Sequence, residues 1–232
     1  MDWDPPVKPT ELAENRLISA ILDGQFAPGS LLPAERELAD QIGVTRPTLR
    51  EALQRMARDG WIEIHHGRST RVRDFWQEGS LGVLGAIAQR PEHLPLHFVE
   101  QLLTVRLGLA PDYTRLAVEH APGQVLEALT GLEALEDTPA AFASADWRVH
   151  HALTVASGNP IYTLILNGFR DLYQVVGAEY FTPPAARRLS RDFYQNLRSA
   201  VDERDAEKAA SIVREVMLAS LEHWRSANRG GR

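Results

Sequence analysis

Two amphipathic helical patterns in the first third of the chain lie so close together that only a tight turn can join them. The first, "PAERELADQIG", begins with Pro33, which suits a first helical turn, and ends at Gly43, which suits a left-handed cap. The second follows Thr45, a capping residue, and continues until Gly60. Its apolar residues at helical spacing are Leu49, Ala52, Leu53, Met56 and Ala57. The pattern predicts a helix-turn-helix.

A further helix is predicted before this pair and a hairpin after it. Apolar residues share one helical face from about residue 8, and "DGQFAPGS" then breaks the pattern. In "WIEIHHGRSTRVR" the period changes, because Ile62 and Ile64 alternate with polar residues and Val72 lies on the return. Three helices and a hairpin predict a winged helix-turn-helix over residues 1–73.

The N-terminal end of the third helix carries side chains suited to reading DNA. Thr45, Arg46, Thr48 and Arg50 fall within two turns, and Pro47 is tolerated because it lies in the first turn. A helix in the major groove presents its N-terminal residues to base edges, and the forked donors of arginine match guanine. Arg46 is therefore predicted to read a base.

Basic residues are concentrated in this region of an otherwise acidic chain. The formal net charge is −6, yet residues 46–73 hold seven arginines against three acidic residues, a local balance of +4. At the hairpin tip, His65, His66, Gly67 and Arg68 form a polar turn suited to close approach to a nucleic acid backbone. The alternative is a solvated surface.

Other arginines of this region have two readings. Arg55 and Arg58 are expected to form surface or hinge ion pairs. Arg36 is expected either to reach a phosphate or to pair with a neighbouring glutamate. The order of helix, tight turn, basic N-terminus and basic hairpin favours the DNA-binding interpretation.

The rest of the chain predicts only helices. Acidic and glycine residues in "DFWQEGSLG" indicate a linker over residues 74–79. Helices are predicted to start near Ser80, Leu96, Pro122, Ala140, Pro160, Ala185 and Asp205. We therefore expect a mainly α protein, with an all-helical domain of about seven helices over residues 80–232.

Several classes of protein are not favoured by the composition. The chain has no cysteine, which excludes thiolate catalysis and a Cys-ligated zinc. Its beginning, "MDWDPPVKPTELAEN", lacks the basic and apolar regions of an export signal, and no stretch reaches the ~20 apolar residues of a membrane span. No catalytic motif is evident. A cytoplasmic, non-enzymatic protein is expected.

Residues 28–72, "PGSLLPAERELADQIGVTRPTLREALQRMARDGWIEIHHGRSTRV", resemble the winged helix-turn-helix of the GntR family of bacterial transcription regulators. The resemblance implies a homodimer on a short palindromic operator. It also implies DNA contacts from Arg36, Thr45, Arg46, Pro47, Thr48, Arg50, His66, Gly67 and Arg68. Pro47 stands where a threonine is expected, and Arg68 where a lysine is expected.

The helical part, with "ASGNPIYTLILNG" and "LYQVVGAEYF", resembles the branch of this family that regulates fatty-acid metabolism. That resemblance implies an effector, long-chain acyl-CoA, whose binding releases the DNA, with repression of fatty-acid degradation genes and activation of unsaturated fatty-acid synthesis. The candidate ligand-binding residues are Leu103, Arg106, Asp146, His150, Tyr173, Tyr180, Ser220, Trp224 and Arg229. Of these, Ser220, Trp224 and Arg229 match positions that this branch uses around the coenzyme. No other cofactor is implied.

Three features of the residues bear on that ligand. Arg106 lies in an otherwise apolar helix, so a partner such as Asp146 or the ligand is expected. Tyr173 and Tyr180 are two helical turns apart and share a face. Further candidates for an apolar tunnel, or for plain helical core, are Leu102, Leu107, Ile161, Leu164 and Ile165. Met217 and Ala219 stand where the branch has a glycine and a glutamate.

A second ligand hypothesis is a small carboxylate held through a metal. Asp146 and His150 have the i, i+4 spacing of two metal ligands on one helix face. In the larger family of helical sensing domains, two more histidines complete such a site. The corresponding positions hold Tyr194 and Val216, so the sequence offers half of a site.

Overall fold

The computed structural model describes residues 8–65, 67–95 and 97–228 of the chain. Contacts divide the chain into two compact units, Met1–Ile87 and Ala88–Arg232. The prediction of a mainly α protein with a small winged helix-turn-helix and a larger helical bundle is confirmed. In the described part of the chain, no helix is both long enough and apolar enough to span a membrane.

The first unit begins with three helices: α1 (Pro9–Leu22), α2 (Glu35–Ile42) and α3 (Arg46–Asp59). Gly43, with φ of 76°, ends α2 in the left-handed region predicted for it, and Gly60, with φ of 93°, ends α3 in the same region. Pro33 lies before α2 rather than inside its first turn, since Ala34 is the residue that caps this helix. The buried faces of α1 and α3 pack against each other.

The hairpin consists of β1 (Ile62–Glu63) and β2 (Arg71–Val72), which pair antiparallel with Ile62 opposite Val72. Both of these residues are fully buried, whereas Ile64 is exposed, so the alternation holds only at the base of the hairpin. The N–H of Leu32 donates to the carbonyl of Thr70, and the N–H of Val72 donates to that of Ser30. These bonds fix the hairpin to the segment that leads into α2.

Two short helices follow the hairpin, α4 (Phe75–Glu78) and α5 (Gly82–Ala88). The predicted linker, residues 74–79, therefore contains a helical turn, and the ring of Phe75 packs on Trp61 with centroids 4.7 Å apart. A Cβ on Gly60 would lie 2.6 Å from the Cα of Gly79. This close approach requires glycine at the end of α3.

The second unit contains α6 (Phe98–His120), α7 (Pro122–Ala128), α8 (Pro139–Ala156), α9 (Pro160–Gly168), α10 (Arg170–Tyr180), α11 (Pro184–Asp202) and α12 (Ala206–Asn228). The sequence predicts one helix from Pro160, but two are present, because the chain leaves helical geometry at Phe169. Gly168, a weak helix former, precedes that break.

The bundle packs its long helices side by side, with α12 along α6, α8 against α10 and α11 against α12. A Cβ on Gly177 would lie 3.2 Å from the Cβ of Ala143, so two small residues allow α8 and α10 to approach closely. Arg187 donates to the carbonyls of Phe181 and Thr182 in the loop after α10, and it forms an ion pair with Asp137 just before α8. These contacts join the start of α11 to two loops of the second unit.

Candidate functional site

The N-terminus of α3 is capped by Thr45, as its sequence predicts. Its side chain accepts a hydrogen bond from the N–H of Thr48, and the two hydroxyl oxygens lie 2.8 Å apart. Pro47 is in the first turn, where its missing N–H removes no intrahelical bond. The end of the helix therefore presents hydroxyl groups and a favourable dipole to an anion.

Most arginines of this region are paired with carboxylates. The pairs are Arg50–Glu35, Arg55–Glu51, Arg58–Asp59, Arg71 with Glu63 and Glu78, and Arg73–Glu78. By contrast, the exposed side chains of Arg36, Arg46 and Arg68 make no ion pair or hydrogen bond with any residue that the structure describes. These three guanidinium groups are available to a partner molecule.

We call the following group, which is exposed except for the half-buried Thr48, the reading surface: Arg36, Thr45, Arg46, Pro47, Thr48, Arg50, Gly67 and Arg68. Thr45 to Arg50 lie on the first turns of α3, and Gly67 and Arg68 lie at the hairpin tip. Gly67 has φ of 75° in open space, so the turn requires glycine for its backbone angle and not for lack of room. His66, also expected here, lies outside the described residues.

Arg50 is held by a residue that the sequence analysis did not single out. Its Nε donates to Glu35 at 2.7 Å, and both side chains are substantially exposed. A guanidinium group has five N–H donors, so this bond leaves others for a phosphate. The spacing of 15 residues between Arg50 and Glu35 is no helical spacing, so no sequence signal marked the pair.

A cluster of buried polar side chains lies in the middle of the second unit. Asp146, on α8, accepts a hydrogen bond from Arg106 at 3.1 Å, one from Tyr173 and one from Tyr194 at 3.4 Å. The expectation that Arg106 requires a partner such as Asp146 is confirmed. The guanidinium group also lies over the ring of Tyr173, 4.9 Å from its centroid. We call these four residues, together with His150, the Asp146 cluster.

His150 is completely buried beside Asp146. Its Nε2 lies 3.7 Å from Oδ1 of Asp146, and its Nδ1 lies 2.7 Å from the hydroxyl of Tyr113, a residue that the sequence analysis missed. Burial lowers the pKa of His150 to about 4, although the carboxylate of Asp146 acts in the opposite direction. His150 is therefore neutral near pH 7.

Asp146 remains ionised despite its burial. Burial alone raises the pKa of this carboxyl group, but His150, Arg106 and the hydrogen bond from Tyr173 together bring it below its ordinary value. The pKa of Tyr173 is raised well above the ordinary value, mainly by burial, so its hydroxyl stays protonated and donates a hydrogen bond to Asp146. The cluster is a buried ion pair surrounded by neutral donors.

This arrangement is unfavourable to a metal ion. Among the described residues, no group of three or more His, Cys, Asp and Glu side chains is placed to hold one. The guanidinium group of Arg106, 3.1 Å from Oδ2 of Asp146, would repel a second cation at the same carboxylate. Tyr194 at one expected histidine position donates to Asp146 instead, and Val216 at the other is buried in apolar core.

Two small cavities lie beside Arg106. One, of about 30 Å³, is bordered by Asp146, Tyr173 and Tyr180 and by apolar residues that include Leu102 and Leu103. The other, of about 20 Å³, is bordered by Val105, Leu109, Tyr113, Tyr162, Ile165, Leu166 and Phe169 as well as Arg106. Each has room for about one water molecule. Arg106 therefore borders two small, mostly apolar spaces.

The structure brings some of the expected ligand residues to the first cavity and leaves others elsewhere. The ring of Trp224 on α12 lies 6.5 Å from that of Tyr180, nearly parallel, and Ser220 is buried one turn before it. Met217 is buried within the bundle core. Leu107 packs against that core. Arg229 lies outside the described residues.

Two tunnel candidates are in the wrong place for that role. Ile161 and Leu164 on α9 are 57% and 63% exposed, whereas the sequence analysis put them in a tunnel or in the helical core. The apolar composition of α9 suggested burial on all sides, but the helix buries only Leu166. An apolar residue on a short helix does not by itself reveal which face is covered.

Comparison with known proteins bears on both units. Residues 9–72 match the family model of bacterial regulatory proteins of the gntR family, and residues 73–230 match that of the FadR C-terminal domain. The chain is 44% identical to the fatty acid metabolism regulator protein of Shewanella pealeana over 219 residues, which are 94% of this chain and 91% of the relative. The corresponding protein of Shewanella frigidimarina is 43% identical over 93% of this chain and 90% of its own.

Solved structures support the fold. Lar, which controls the expression of the Listeria monocytogenes agr system, superposes with a TM-score of 0.53 at 18% identity, over 96% of this chain and 97% of its own. McbR/YncC of E. coli superposes with a TM-score of 0.50 at 19% identity, over 97% of this chain and 100% of its own. Both matched families are regulators and not enzymes. Because one family model matches more than half of the chain and the relatives align over nearly all of it, this chain belongs to the GntR family of bacterial transcription regulators, with a FadR C-terminal domain.

Proposed function

We propose that the chain is a cytoplasmic, homodimeric regulator of fatty-acid metabolism that long-chain acyl-CoA releases from its operator. The observation that carries the ligand half is the Arg106–Asp146 ion pair at the edge of a small apolar cavity. The names of the Shewanella relatives supply the metabolic context. The family resemblance supplies the two directions of control, repression of degradation genes and activation of unsaturated fatty-acid synthesis.

The reading surface supports the DNA half of the proposal. The side chain of Arg46 at the start of α3 is exposed and has no hydrogen-bond or ion-pair partner among the described residues, which suits a bidentate contact with guanine. Arg36 and Arg50 on the flanks, and Arg68 at the hairpin tip, suit phosphate contacts. A helix of this kind reads one half-site, so a homodimer suits a palindrome with half-sites about 34 Å apart, one turn of DNA, or a multiple of that spacing.

The apolar part of the effector requires the cavities beside Arg106 to enlarge. An acyl chain gains ~0.8 kcal/mol for each buried methylene group, and this gain favours the enlarged form. Because the existing spaces of about 30 and 20 Å³ hold only water-sized molecules, the chain must push residues apart on one or both sides of Arg106. Trp224, Tyr180 and Ser220 suit the adenine and phosphate groups of the coenzyme, as does Arg229 beyond the described residues.

Release from DNA follows if the opened and closed forms differ in operator affinity. A ligand can shift an equilibrium only by its difference in affinity for the two forms. Cavities of about 30 and 20 Å³ have no room for an acyl chain, so acyl-CoA strongly favours the opened form. The closed form, which has the small cavities described above, is then the DNA-binding form.

Calorimetry with oleoyl-CoA and an operator gel-shift assay test this function together. We expect tight binding of oleoyl-CoA that a chelator does not change, and loss of the DNA complex at matching concentrations. Trp224→Ala should require more oleoyl-CoA for release without changing operator affinity in its absence. Tight binding of a small carboxylate that a chelator abolishes, with no response to oleoyl-CoA, would instead support a metal-dependent sensor at Asp146 and His150.

A further inference from the structure

A cleft on the surface of the second unit is separate from the cavities beside Arg106. It has a volume of about 310 Å³, and we call it the α11 cleft. One wall is formed by the α11 residues Arg191, Tyr194, Gln195 and Arg198. The other wall is formed by Leu129, Leu132 and Glu133 at and after the end of α7. The volume is at the lower end of the ~300–1,000 Å³ typical of small-molecule sites.

The α11 wall is one continuous helix face. Its four residues have the spacing i, i+3, i+4 and i+7, so their side chains project in the same direction over two turns. Arg191 is fixed at one end, because it donates to the carbonyl of Leu135 at 3.1 Å and to Asp137 at 3.4 Å. Arg198 at the other end is exposed and makes no ion pair or hydrogen bond with the described residues. A free cation therefore borders the cleft.

Charge and polarity of the walls define the class of ligand. The surface that lines the cleft is more apolar than polar, although Leu129 and Leu132 themselves are nearly buried, and this favours a ligand with a hydrocarbon body. Because Arg191 is already paired with Asp137, Arg198 is the cation left for an anionic group, and Glu133 disfavours a ligand with several negative charges. We propose that the α11 cleft binds a small organic monoanion with a short apolar body, such as a medium-chain carboxylate, with Arg198 as the partner of the anionic group.

This site is distinct from the proposed effector site. A cleft of about 310 Å³ that is open to solvent does not enclose a long acyl chain together with its coenzyme. The α11 cleft and the first cavity beside Arg106 share no lining residue. Tyr194 links them indirectly, because it borders the cleft and its hydroxyl donates a hydrogen bond to Asp146 at 3.4 Å. Tyr194 is therefore unsuitable for a test, because its replacement alters the buried cluster as well.

Calorimetry with octanoate at pH 7.5 tests the cleft. We expect the full-length protein to bind octanoate, to bind the uncharged octanol much more weakly, and to lose at least about tenfold in octanoate affinity, ~1.4 kcal/mol, in Arg198→Ala. The matched control is Arg214→Ala, which removes an exposed arginine from α12 and should leave octanoate affinity unchanged. Arg198 is exposed, so its variant should fold normally, which circular dichroism would verify.

Three outcomes would overturn the proposal: no octanoate binding by the wild-type chain, equal binding by Arg198→Ala, or an equal loss in Arg214→Ala. Octanoate binding that disappears in Trp224→Ala and persists in Arg198→Ala would place the probe in the effector cavity, which also overturns the proposal. Failure here is distinguishable from failure of the proposed function. A chain that oleoyl-CoA releases from the operator but that ignores octanoate would lose only the cleft.

Discussion

Arginine side chains have opposite environments in the two regions of this protein. On the reading surface, Arg46 is exposed and makes no ion pair or hydrogen bond with the described residues through its side chain. In the bundle, Arg106 lies beside a carboxylate and an aromatic ring, and its side chain is only 15% exposed. Water stabilises an isolated charge at the surface, whereas a buried charge requires partners from the protein itself.

These two environments lead to different responses to a partner molecule. An unpaired surface arginine gains a DNA contact without first losing an internal one. A buried arginine is bound to Asp146 from the start, so a ligand that reaches it must change an existing network. The exposed arginine suits recognition of DNA, and the buried arginine suits a switch between two packed states.

The largest expected effect comes from removing the partner of the buried arginine. Asp146→Ala leaves Arg106 without its carboxylate in the bundle, and we expect a loss of ~3–5 kcal/mol in the free energy of unfolding. Urea denaturation measures it. Asp192→Ala, which removes an exposed aspartate from α11, serves as the control and should change stability by less than about 0.5 kcal/mol. Equal stability of the two variants would mean that burial of Arg106 has no such requirement.

Removing the exposed arginine should leave stability alone and change DNA recognition. For Arg46→Ala we expect a loss of ~1–3 kcal/mol in operator affinity and relaxed preference at one base pair. A fluorescence anisotropy titration against operators with single base changes measures both quantities. The control is Arg55→Ala, whose side chain is already paired with Glu51 at 2.7 Å. If Arg46→Ala binds the operator as the wild type does, Arg46 reads no base.

The buried histidine predicts a dependence of stability on pH. Its folded-state pKa of about 4 lies below the ordinary value of 6.5, so the unfolded chain takes up a proton first as pH falls. The stability contribution is complete above pH 6.5 and is lost as pH approaches 4. Between pH 7 and pH 5 we expect a loss of about 2 kcal/mol from this group.

Urea denaturation of His150→Gln at both pH values isolates that contribution. Glutamine preserves a polar partner for Tyr113 but does not titrate, so the variant should lose about 2 kcal/mol less than the wild type over this range. His97→Gln, at an exposed position, serves as the control. An identical pH dependence of wild type and His150→Gln would show that His150 keeps an ordinary pKa in the fold.

Local signals were sufficient to predict the first unit. The cap at Thr45 and the glycines at positions 43 and 60 act within a few residues of their own helix, so their roles are visible in the sequence. The sequence also predicts that Arg106 has a partner, since a charge in an apolar helix requires one. The division into residues 1–73, 74–79 and 80–232 stays a prediction.

The Asp146 cluster was less accessible because its contacts are distant in sequence. Tyr113 meets His150 across 37 residues, and Tyr194 meets Asp146 across 48. A tyrosine on an apolar helix face has no pattern that distinguishes a donor to a buried carboxylate from a core residue. The α11 cleft was missed for the same reason, since helix spacing shows which residues of α11 share a face but not what lies opposite.

The smallest expected effect on stability concerns Arg50 on the reading surface. Arg50 is intermediate between Arg46 and Arg106, because it is exposed but bonded to Glu35. An exposed pair of this kind contributes little to stability, ~0–1 kcal/mol, so Arg50→Ala should unfold almost as the wild type does. If Arg50 contacts a phosphate, the slope of log affinity against log salt should fall by ~0.9, equally for operator and random DNA.

Glu35→Gln separates the two roles of Arg50, because it breaks the pair and keeps the arginine. A phosphate-binding Arg50 no longer shared with Glu35 should bind all DNA slightly more tightly, while the salt slope stays at or above the wild-type value. If Arg50→Ala instead loses affinity only for the operator, the residue reads a base and the distinction between Arg46 and its neighbour disappears. If neither variant changes DNA binding, the Arg50–Glu35 pair is only a surface contact. Arg36, Arg46 and Arg68 are then the arginines of the reading surface that contact DNA.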